Sequence, residues 1–287
     1  MRCVQAVCLL FSGLVLLAAT TAEAEVQSKT VEYTDGGVVL KGYFAWDDAV
    51  EGRRPGVVVA HEWWGLNDYA RRRARMLAAM GYVAFALDMY GEGKATEHGA
   101  EAKAWMEQVN RNIAVWQRRA LLGVEVLRQH DFVDPSRIAA IGYCFGGATV
   151  MQMAYSGADL KGIVSFHGPL PVATPEQAGA IKARILVEHG YDDPFVPAER
   201  IARFQASLDQ ADVDWEMDVY GGAQHSFTNP SADRYGIEGV HYDARADRRS
   251  WAHMRLFLEE IFGRQAGSRV LLGGERPAVR PQRISIR

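Results

Sequence analysis

The stretch Gly142-Tyr143-Cys144-Phe145-Gly146-Gly147 decides the fold, because glycines flank a single thiol between a strand-like and a helix-like segment. Residues 137–143 (RIAAIGY) form a short apolar run typical of a buried strand, and residues 146–155 have helical spacing. The tight turn between them leaves no room for larger side chains beside its central residue. The pattern predicts a nucleophile elbow, a strand-turn-helix unit that lifts the Cys144 side chain above a sheet.

Strand-like and helix-like segments alternate on both sides of this elbow, from residue 29 to about residue 263. Strands are predicted over residues 29–34, 38–46, 56–61, 82–88, 137–143, 162–167, 184–189 and 213–220, the first two as a hairpin. Helices are predicted over residues 67–80, 146–155, 197–210 and 248–262, with two more inside 97–130 and a turn at Asp134-Pro135. This succession predicts an α/β fold, a mostly parallel sheet with helices on both faces.

Length and composition fit one large domain. A chain of 287 residues with 48% hydrophobic content can bury a single sizeable core, which we expect over residues 25–265. The segment after it, 266–287, is rich in Arg, Gly and Pro and is predicted to be a poorly ordered tail. A net charge of −3 provides no basic field, so we expect no nucleic-acid partner.

Residues 1–24 are interpreted as a signal peptide. Arg2 precedes an apolar run over residues 4–19, and Ala22-Glu23-Ala24 matches the small-x-small pattern of a cleavage site. An uncleaved membrane anchor is the alternative, but the run is shorter than the roughly 20 apolar residues that a spanning helix needs. We therefore expect an exported protein, periplasmic or secreted, that starts near Glu25 and has no stable membrane insertion after cleavage.

Cys144 is the only cysteine outside the predicted signal peptide. The chain has three cysteines, Cys3, Cys8 and Cys144, and cleavage would remove the first two. The exported chain would then keep one thiol with no disulfide partner. Because a lone thiol is open to oxidation in such a compartment, its presence favours a chemical role. An inert, buried cysteine is the structural alternative.

Two downstream segments supply the partners that a nucleophilic thiol needs. Asp192 and Asp193 follow the strand at 184–189, and the spacing to Val196-Pro197 favours Asp193 as the acid and Asp192 as a turn residue. His225 follows the strand at 213–220, although taken alone it would be an ordinary loop histidine. The order nucleophile, acid, histidine, each after a strand, is that of α/β-hydrolase triads.

Together these motifs resemble the dienelactone hydrolase family, over residues 30–263. The resemblance is carried by His61-Glu62-Trp63-Trp64-Gly65, by residues 142–147, by Asp193 within DPFVP and by His225-Ser226-Phe227. It implies an α/β-hydrolase fold and a Cys144–His225–Asp193 triad. We expect this triad to cleave ester or lactone bonds through a thioester acyl-enzyme.

The resemblance also assigns roles around the thiol. Glu62 is expected to help deprotonate it, since a free thiol with a pKa of about 8.5 is mostly protonated at neutral pH. The alternative is a carboxylate held only by backbone N–H groups. The backbone N–H groups of Phe145 and Trp63 would stabilise the oxyanion. Trp64 and Asn229 are expected to line the substrate pocket, with plain core packing as the alternative for Trp64.

One position departs from the family pattern. Family members that act on dienelactone carry an arginine four residues after the catalytic histidine, and it holds the glutamate at rest and then grips the substrate carboxylate. Asn229 stands at that position here. An amide carries no charge, so an anionic substrate is less favoured. Arg111 and Arg234 are the other cations that could approach the site in this role.

Two alternatives stay open beside this hydrolase. One is a general carboxylesterase or thioesterase on the same fold, and the other is a non-catalytic binding or redox-sensing protein. No cofactor is expected. No metal site is predicted, because the histidines are scattered and none has metal-ligand spacing. The expected partner is a small-molecule ester or lactone.

Overall fold

The computed structural model describes residues 26–263, which contain eight strands. In chain order the strands are β1 (Val26–Asp35), β2 (Val38–Asp47), β3 (Arg54–Ala60), β4 (Val83–Ala86), β5 (Val133–Tyr143), β6 (Gly162–Phe166), β7 (Arg184–Gly190) and β8 (Trp215–Tyr220). They form one sheet in the order β1-β2-β4-β3-β5-β6-β7-β8. β1 pairs antiparallel with β2, and β2 with β4, whereas every later pairing is parallel.

Helices cover both faces of this sheet. They are α1 (Asp68–Ala78), α2 (Gly99–Asn110), α3 (Ile113–Arg128), α4 (Phe145–Tyr155), α5 (Pro175–Ala180), α6 (Ala198–Asp209) and α7 (Ala244–Phe262). Apolar side chains of α1 and α7 pack on one face, and those of α3, α4 and α6 on the other. β3 is buried along its whole length because both of its faces are covered. The predicted α/β fold is confirmed.

The main differences from the predicted elements have local causes. The turn predicted at Asp134-Pro135 lies inside β5 and not before it: the pairing with β3 shifts register between Val133 and Ile138, and the Asp134 carboxylate accepts a hydrogen bond from the Ser136 N–H. α7 begins at Ala244 rather than at residue 248, because the Asp243 carboxylate accepts hydrogen bonds from the first backbone N–H groups. In both places a side-chain or pairing detail overrides the apolar pattern.

Two short helices were not predicted. α5 has only six residues and is held by a capping box, in which Thr174 and Gln177 bond each other's backbone N–H groups. A 3₁₀ helix over Ala232–Tyr235 follows the His225 loop. The Thr-x-x-Gln spacing was visible in the sequence, but the segment is too short to show helical periodicity.

The predicted signal peptide and tail lie outside the described residues, so both stay predictions. Within residues 26–263, no helix is both long enough and apolar enough to cross a membrane.

Candidate active site

Cys144 occupies the turn between β5 and α4 with φ +54° and ψ −115°, a conformation that non-glycine residues rarely adopt. The flanking glycines are required by close backbone contacts. A Cβ at Gly142 would lie 2.0 Å from the carbonyl oxygen of Gly146, and one at Gly146 would lie 2.1 Å from that of Ala60. The turn therefore has the geometry of a nucleophile elbow, and it leaves Cys144 half-buried at the end of β5.

A histidine on the next strand end holds the backbone of Cys144. The Cys144 N–H donates to the carbonyl oxygen of Phe166 at 3.0 Å and to Nδ1 of His167 at 3.2 Å. Burial, together with the nearby His225, lowers the pKa of His167 well below its usual value, so the ring is neutral. Its Nε2 therefore carries the proton and donates to Oγ1 of Thr228, 2.7 Å away. His167 is a positioning residue, a role that no sequence motif indicated.

His225 and Asp193 form the pair expected of a triad. The His225 Nδ1 donates to Oδ2 of Asp193 at 2.7 Å, and the Asp193 side chain is fully buried. Asp192 is exposed in the adjacent turn. Burial alone would lower the pKa of His225, but the charge of Cys144, the hydrogen bond that His225 donates to Asp193 and the charge of Asp193 raise it above its usual value. Asp193 thus contacts His225, and His225 lines the same cavity as Cys144.

Glu62 is buried and both of its carboxylate oxygens are engaged. Oε1 accepts a hydrogen bond from the Ser226 hydroxyl at 2.8 Å, and Oε2 accepts one from the Asn229 amide at 2.5 Å. Burial raises the pKa of Glu62 above its usual value, against the opposing effect of these two hydrogen bonds. Asn229 was expected to line the pocket, but it is buried beneath Glu62 instead and is absent from the pocket lining. Its position orients Glu62.

The two expected oxyanion donors face the same end of the sheet. Phe145 is the first residue of α4, so its N–H has no acceptor inside the helix and lies at the positive end of the helix dipole. The Trp63 segment is fixed by its neighbours: His61 Nδ1 donates to the Glu62 carbonyl at 2.6 Å, and the Tyr90 hydroxyl donates to the Trp63 carbonyl at 3.0 Å. His61 therefore has a structural role that the sequence did not reveal.

A cavity of about 380 Å³ opens beside Cys144. It contains Cys144, His225 and Ser226, and its remaining walls are mostly apolar, formed chiefly by Trp63, Trp64, Met106, Trp116, Phe195, Ile237 and Val240. Trp64 both lines the cavity and stacks on Tyr235, with ring centroids 3.8 Å apart, so its two proposed roles coexist. An apolar cavity with one thiol and one imidazole suits an ester whose substituents are apolar.

Comparison with known proteins identifies the family. A model of the dienelactone hydrolase family matches residues 40–262. The chain belongs to the dienelactone hydrolase family. It is a hydrolase of that family, which acts on ester or lactone bonds.

Relatives of this dienelactone hydrolase family member span most of the chain. The crystal structure of the dienelactone hydrolase-like promiscuous phosphotriesterase P91 from metagenomic libraries is 42% identical, with a TM-score of 0.81, and covers 84% of this chain and 100% of that protein. The structure named m3DLH is 41% identical, with a TM-score of 0.80, and covers 83% and 99%. Protein usf of Aquifex pyrophilus is 31% identical over 211 residues, 69% of this chain and 86% of that protein.

Among residues 26–263 of this family member, no lysine or arginine lines the cavity. Arg111 and Arg234 are exposed and pair with Glu107 and Glu97, away from the cavity. Neither replaces the arginine that family members acting on dienelactone carry at the position of Asn229.

One buried cation does lie near the site, beneath the His225 loop. Arg73 pairs with Asp247 and donates to the Thr228 carbonyl at 2.7 Å, and the hydroxyls of Tyr69 and Thr228 are 2.6 Å apart. The charge of Arg73 opposes the rise in the pKa of Glu62. Since Arg73 is only 4% exposed and does not line the cavity, we assign it to holding the loop, not to substrate.

Proposed function

We propose that this protein hydrolyses uncharged esters or lactones through a thioester formed on Cys144. The observation that carries the proposal is the hydrogen bond from His225 to Asp193, made by a histidine that lines the same apolar cavity as Cys144. The charge of Cys144 is one of the causes that raise the pKa of His225, so the two groups interact directly. A thiolate is the reactive form of cysteine.

In the first half of the reaction, the Cys144 sulfur attacks the carbonyl carbon and the carbonyl electron pair moves to oxygen. The N–H groups of Phe145 and Trp63 donate to this oxyanion. Each such donor typically contributes roughly 3 kcal/mol to transition-state stabilisation. The tetrahedral intermediate then collapses, the bond to the leaving alkoxide breaks, and His225 supplies the proton that the alkoxide takes.

In the second half, water hydrolyses the thioester. His225, neutral after it has protonated the alkoxide, accepts a proton from the water as the water oxygen attacks the thioester carbonyl, and the thiolate of Cys144 leaves. Asp193 keeps the His225 ring in the tautomer that presents Nε2 to the reacting atoms. Because thiolates are good leaving groups, the scheme suits esters and lactones better than amides.

Glu62 is proposed to take the thiol proton when it turns from Ser226 and Asn229 towards Cys144, and to return it to the thiolate after the thioester is hydrolysed. The raised pKa of Glu62 makes it a better base than an exposed carboxylate. Its resting partners are neutral groups, a hydroxyl and an amide, so releasing it breaks no ion pair. We therefore expect activation without a negatively charged substrate.

Phosphotriester hydrolysis is a second candidate activity. The relative P91, 42% identical to this chain, is described as a promiscuous phosphotriesterase. A neutral phosphotriester is a compact, uncharged electrophile. The described wall of the cavity contains no lysine or arginine, so the cavity suits an uncharged phosphotriester as well as an uncharged ester.

The first test compares p-nitrophenyl butyrate with an enol lactone that carries a carboxylate. We expect a higher kcat/KM for the neutral ester and a loss of at least about a hundredfold in the Cys144→Ala variant, by analogy with other nucleophile deletions. Full activity of Cys144→Ala would overturn the proposal. A preference for the anionic lactone would overturn the assignment of substrate charge and leave the nucleophile in place.

The same assay separates the remaining alternatives. Comparable turnover of many short p-nitrophenyl esters and acyl thioesters would indicate a general carboxylesterase or thioesterase. Complete alkylation of Cys144 by iodoacetamide without loss of turnover would indicate that the thiol has a sensing or inert role.

A further inference from the structure

Three metal-ligating side chains converge on the face of the sheet that is covered by α7. Glu188 in β7, Asp218 in β8 and His253 in α7 each offer a ligand atom, and these atoms lie within 4.8 Å of one another. Glu188 and Asp218 are direct partners in the parallel pairing of β7 with β8. Successive strand residues point to opposite faces, so Glu188 points away from the neighbouring His189.

Glu188 is buried with one carboxylate oxygen that lacks a hydrogen-bond partner among the described residues. Its side chain is fully buried, and Oε2 accepts a hydrogen bond from the Tyr220 hydroxyl at 2.6 Å. Within residues 26–263, Oε1 has no hydrogen-bond partner. A buried carboxylate oxygen without a partner is costly, and a cation would remove that cost.

The other two ligands connect this buried oxygen to solvent. His253 Nδ1 contacts Asp218 Oδ2 and lies 3.4 Å from the Tyr220 hydroxyl. The His253 side chain is 46% exposed at the rim of a hollow of about 330 Å³. An ion could therefore enter past His253 and reach Glu188.

Charges of both signs face this hollow. Arg249 and Arg245 line it, and Arg245 is already paired with Asp243. Glu216 and Glu260 flank Asp218 and His253 on the neighbouring surface, where Glu260 pairs with Arg184. The carboxylates of Glu188, Asp218 and Glu216 together keep the immediate surroundings acidic.

We propose that Glu188, Asp218 and His253 form a binding site for a divalent transition-metal ion, with Zn²⁺ the best fit. One imidazole nitrogen and two carboxylate oxygens are a recognised zinc ligand set, and they leave the fourth tetrahedral position for water. Ca²⁺ and Mg²⁺ fit poorly, because they prefer six or more oxygen ligands or several retained waters. The Tyr220 hydroxyl orients Glu188 as an outer partner.

The site would join the elements that carry two members of the proposed triad. β7 leads into the turn that carries Asp193, and β8 leads into the loop that carries His225. α7 closes the same face of the sheet. A bound ion would thus stabilise this part of the fold without touching the cavity, since a ligand bound only by the folded state raises its stability.

The test is isothermal titration calorimetry with zinc chloride after treatment with a chelator. The full chain is used with Cys3, Cys8 and Cys144 replaced by serine, so that no thiol competes for the ion. We expect one Zn²⁺ per chain, with affinity reduced at least about tenfold in both His253→Ala and Glu188→Gln. Zinc should also raise the melting temperature of the parent chain but not of His253→Ala.

The matched control is His241→Ala. His241 forms a similar exposed pair with Asp233, but among residues 26–263 no third ligand side chain converges on that pair. This variant should bind Zn²⁺ like the parent. The proposal is overturned if the parent binds no Zn²⁺, or if His253→Ala and Glu188→Gln bind it as tightly as His241→Ala does. Equal or tighter binding of Ca²⁺ would overturn the choice of metal class.

Discussion

The Asn229 side chain donates a hydrogen bond to Glu62 at 2.5 Å, from the position where the family members that act on dienelactone carry an arginine. Glu62 therefore keeps a hydrogen-bond partner at this position, but the partner is a neutral amide and not a cation. The family resemblance implies that an arginine at this position both holds the glutamate and binds the substrate carboxylate. Here an amide can do only the first of these tasks, and the described cavity wall offers no cation for the second.

Asn229→Arg is expected to shift substrate preference towards anions. A guanidinium can pair with Glu62 at rest and with a substrate carboxylate afterwards. We expect the ratio of kcat/KM for a carboxylate-bearing enol lactone over p-nitrophenyl butyrate to rise by about tenfold or more, as for a single charged contact. Asn229→Gln is the neutral control, and an equal shift in that variant would argue against a role for charge.

Glu62→Gln should slow acylation more than it affects stability. The amide retains the size of the side chain but cannot accept a proton, and general bases typically contribute about 10² to 10⁴ in rate. The measurement is the rate constant of p-nitrophenol release in a single turnover, at several pH values. The deficit should shrink as pH rises, because free hydroxide then deprotonates the thiol without Glu62. A deficit that does not depend on pH would assign Glu62 a purely structural role.

The charge state of His225 should depend on Cys144. The pKa of His225 is raised to about 10, partly by the charge of Cys144, so the folded protein holds a proton that the unfolded chain releases near pH 6.5. The stability that comes from this proton is fully present below about pH 6.5 and is lost as pH rises towards 10. In Cys144→Ser, proton NMR titration should show a lower His225 pKa and unfolding experiments a flatter pH dependence. An unchanged His225 pKa would contradict the pairing of these two groups.

Gly146→Ala should destabilise the elbow strongly. A Cβ there would lie 2.1 Å from the carbonyl oxygen of Ala60, and the neighbouring atoms are backbone that cannot move aside. We expect a loss of about 3 kcal/mol or more in the free energy of unfolding, measured with denaturant. Gly179→Ala in α5 is the matched control, because no atom lies within 4 Å of its added Cβ, and it should be neutral or slightly stabilising.

Several parts of this fold and its candidate site could be predicted from the sequence because they depend on local patterns. Short apolar runs between helical segments predicted the parallel sheet. The glycines around Cys144 predicted the turn that the structure has at φ +54°. The order of Cys144, Asp193 and His225 placed all three at strand ends, where the structure brings them together.

Contacts between residues that are distant in sequence could not be predicted in the same way. His167 meets Thr228 across 61 residues, and Asn229 meets Glu62 across 167, so no spacing rule links them. Glu188, Asp218 and His253 belong to three different elements, and only the strand register and the packing of α7 bring their ligand atoms together. The absence of metal-ligand spacing in the sequence therefore did not exclude a cluster assembled by the fold.

The most direct test of the central claim is to trap the acyl-enzyme. The protein is mixed with p-nitrophenyl butyrate, quenched in acid within the burst phase, digested and analysed by mass spectrometry. We predict a butyryl group on the peptide that contains Cys144, lost on treatment with hydroxylamine and more abundant in His225→Ala, where the thioester is hydrolysed slowly. Turnover with the acyl group on another residue, or with no acyl-enzyme in either protein, would contradict Cys144 as the nucleophile.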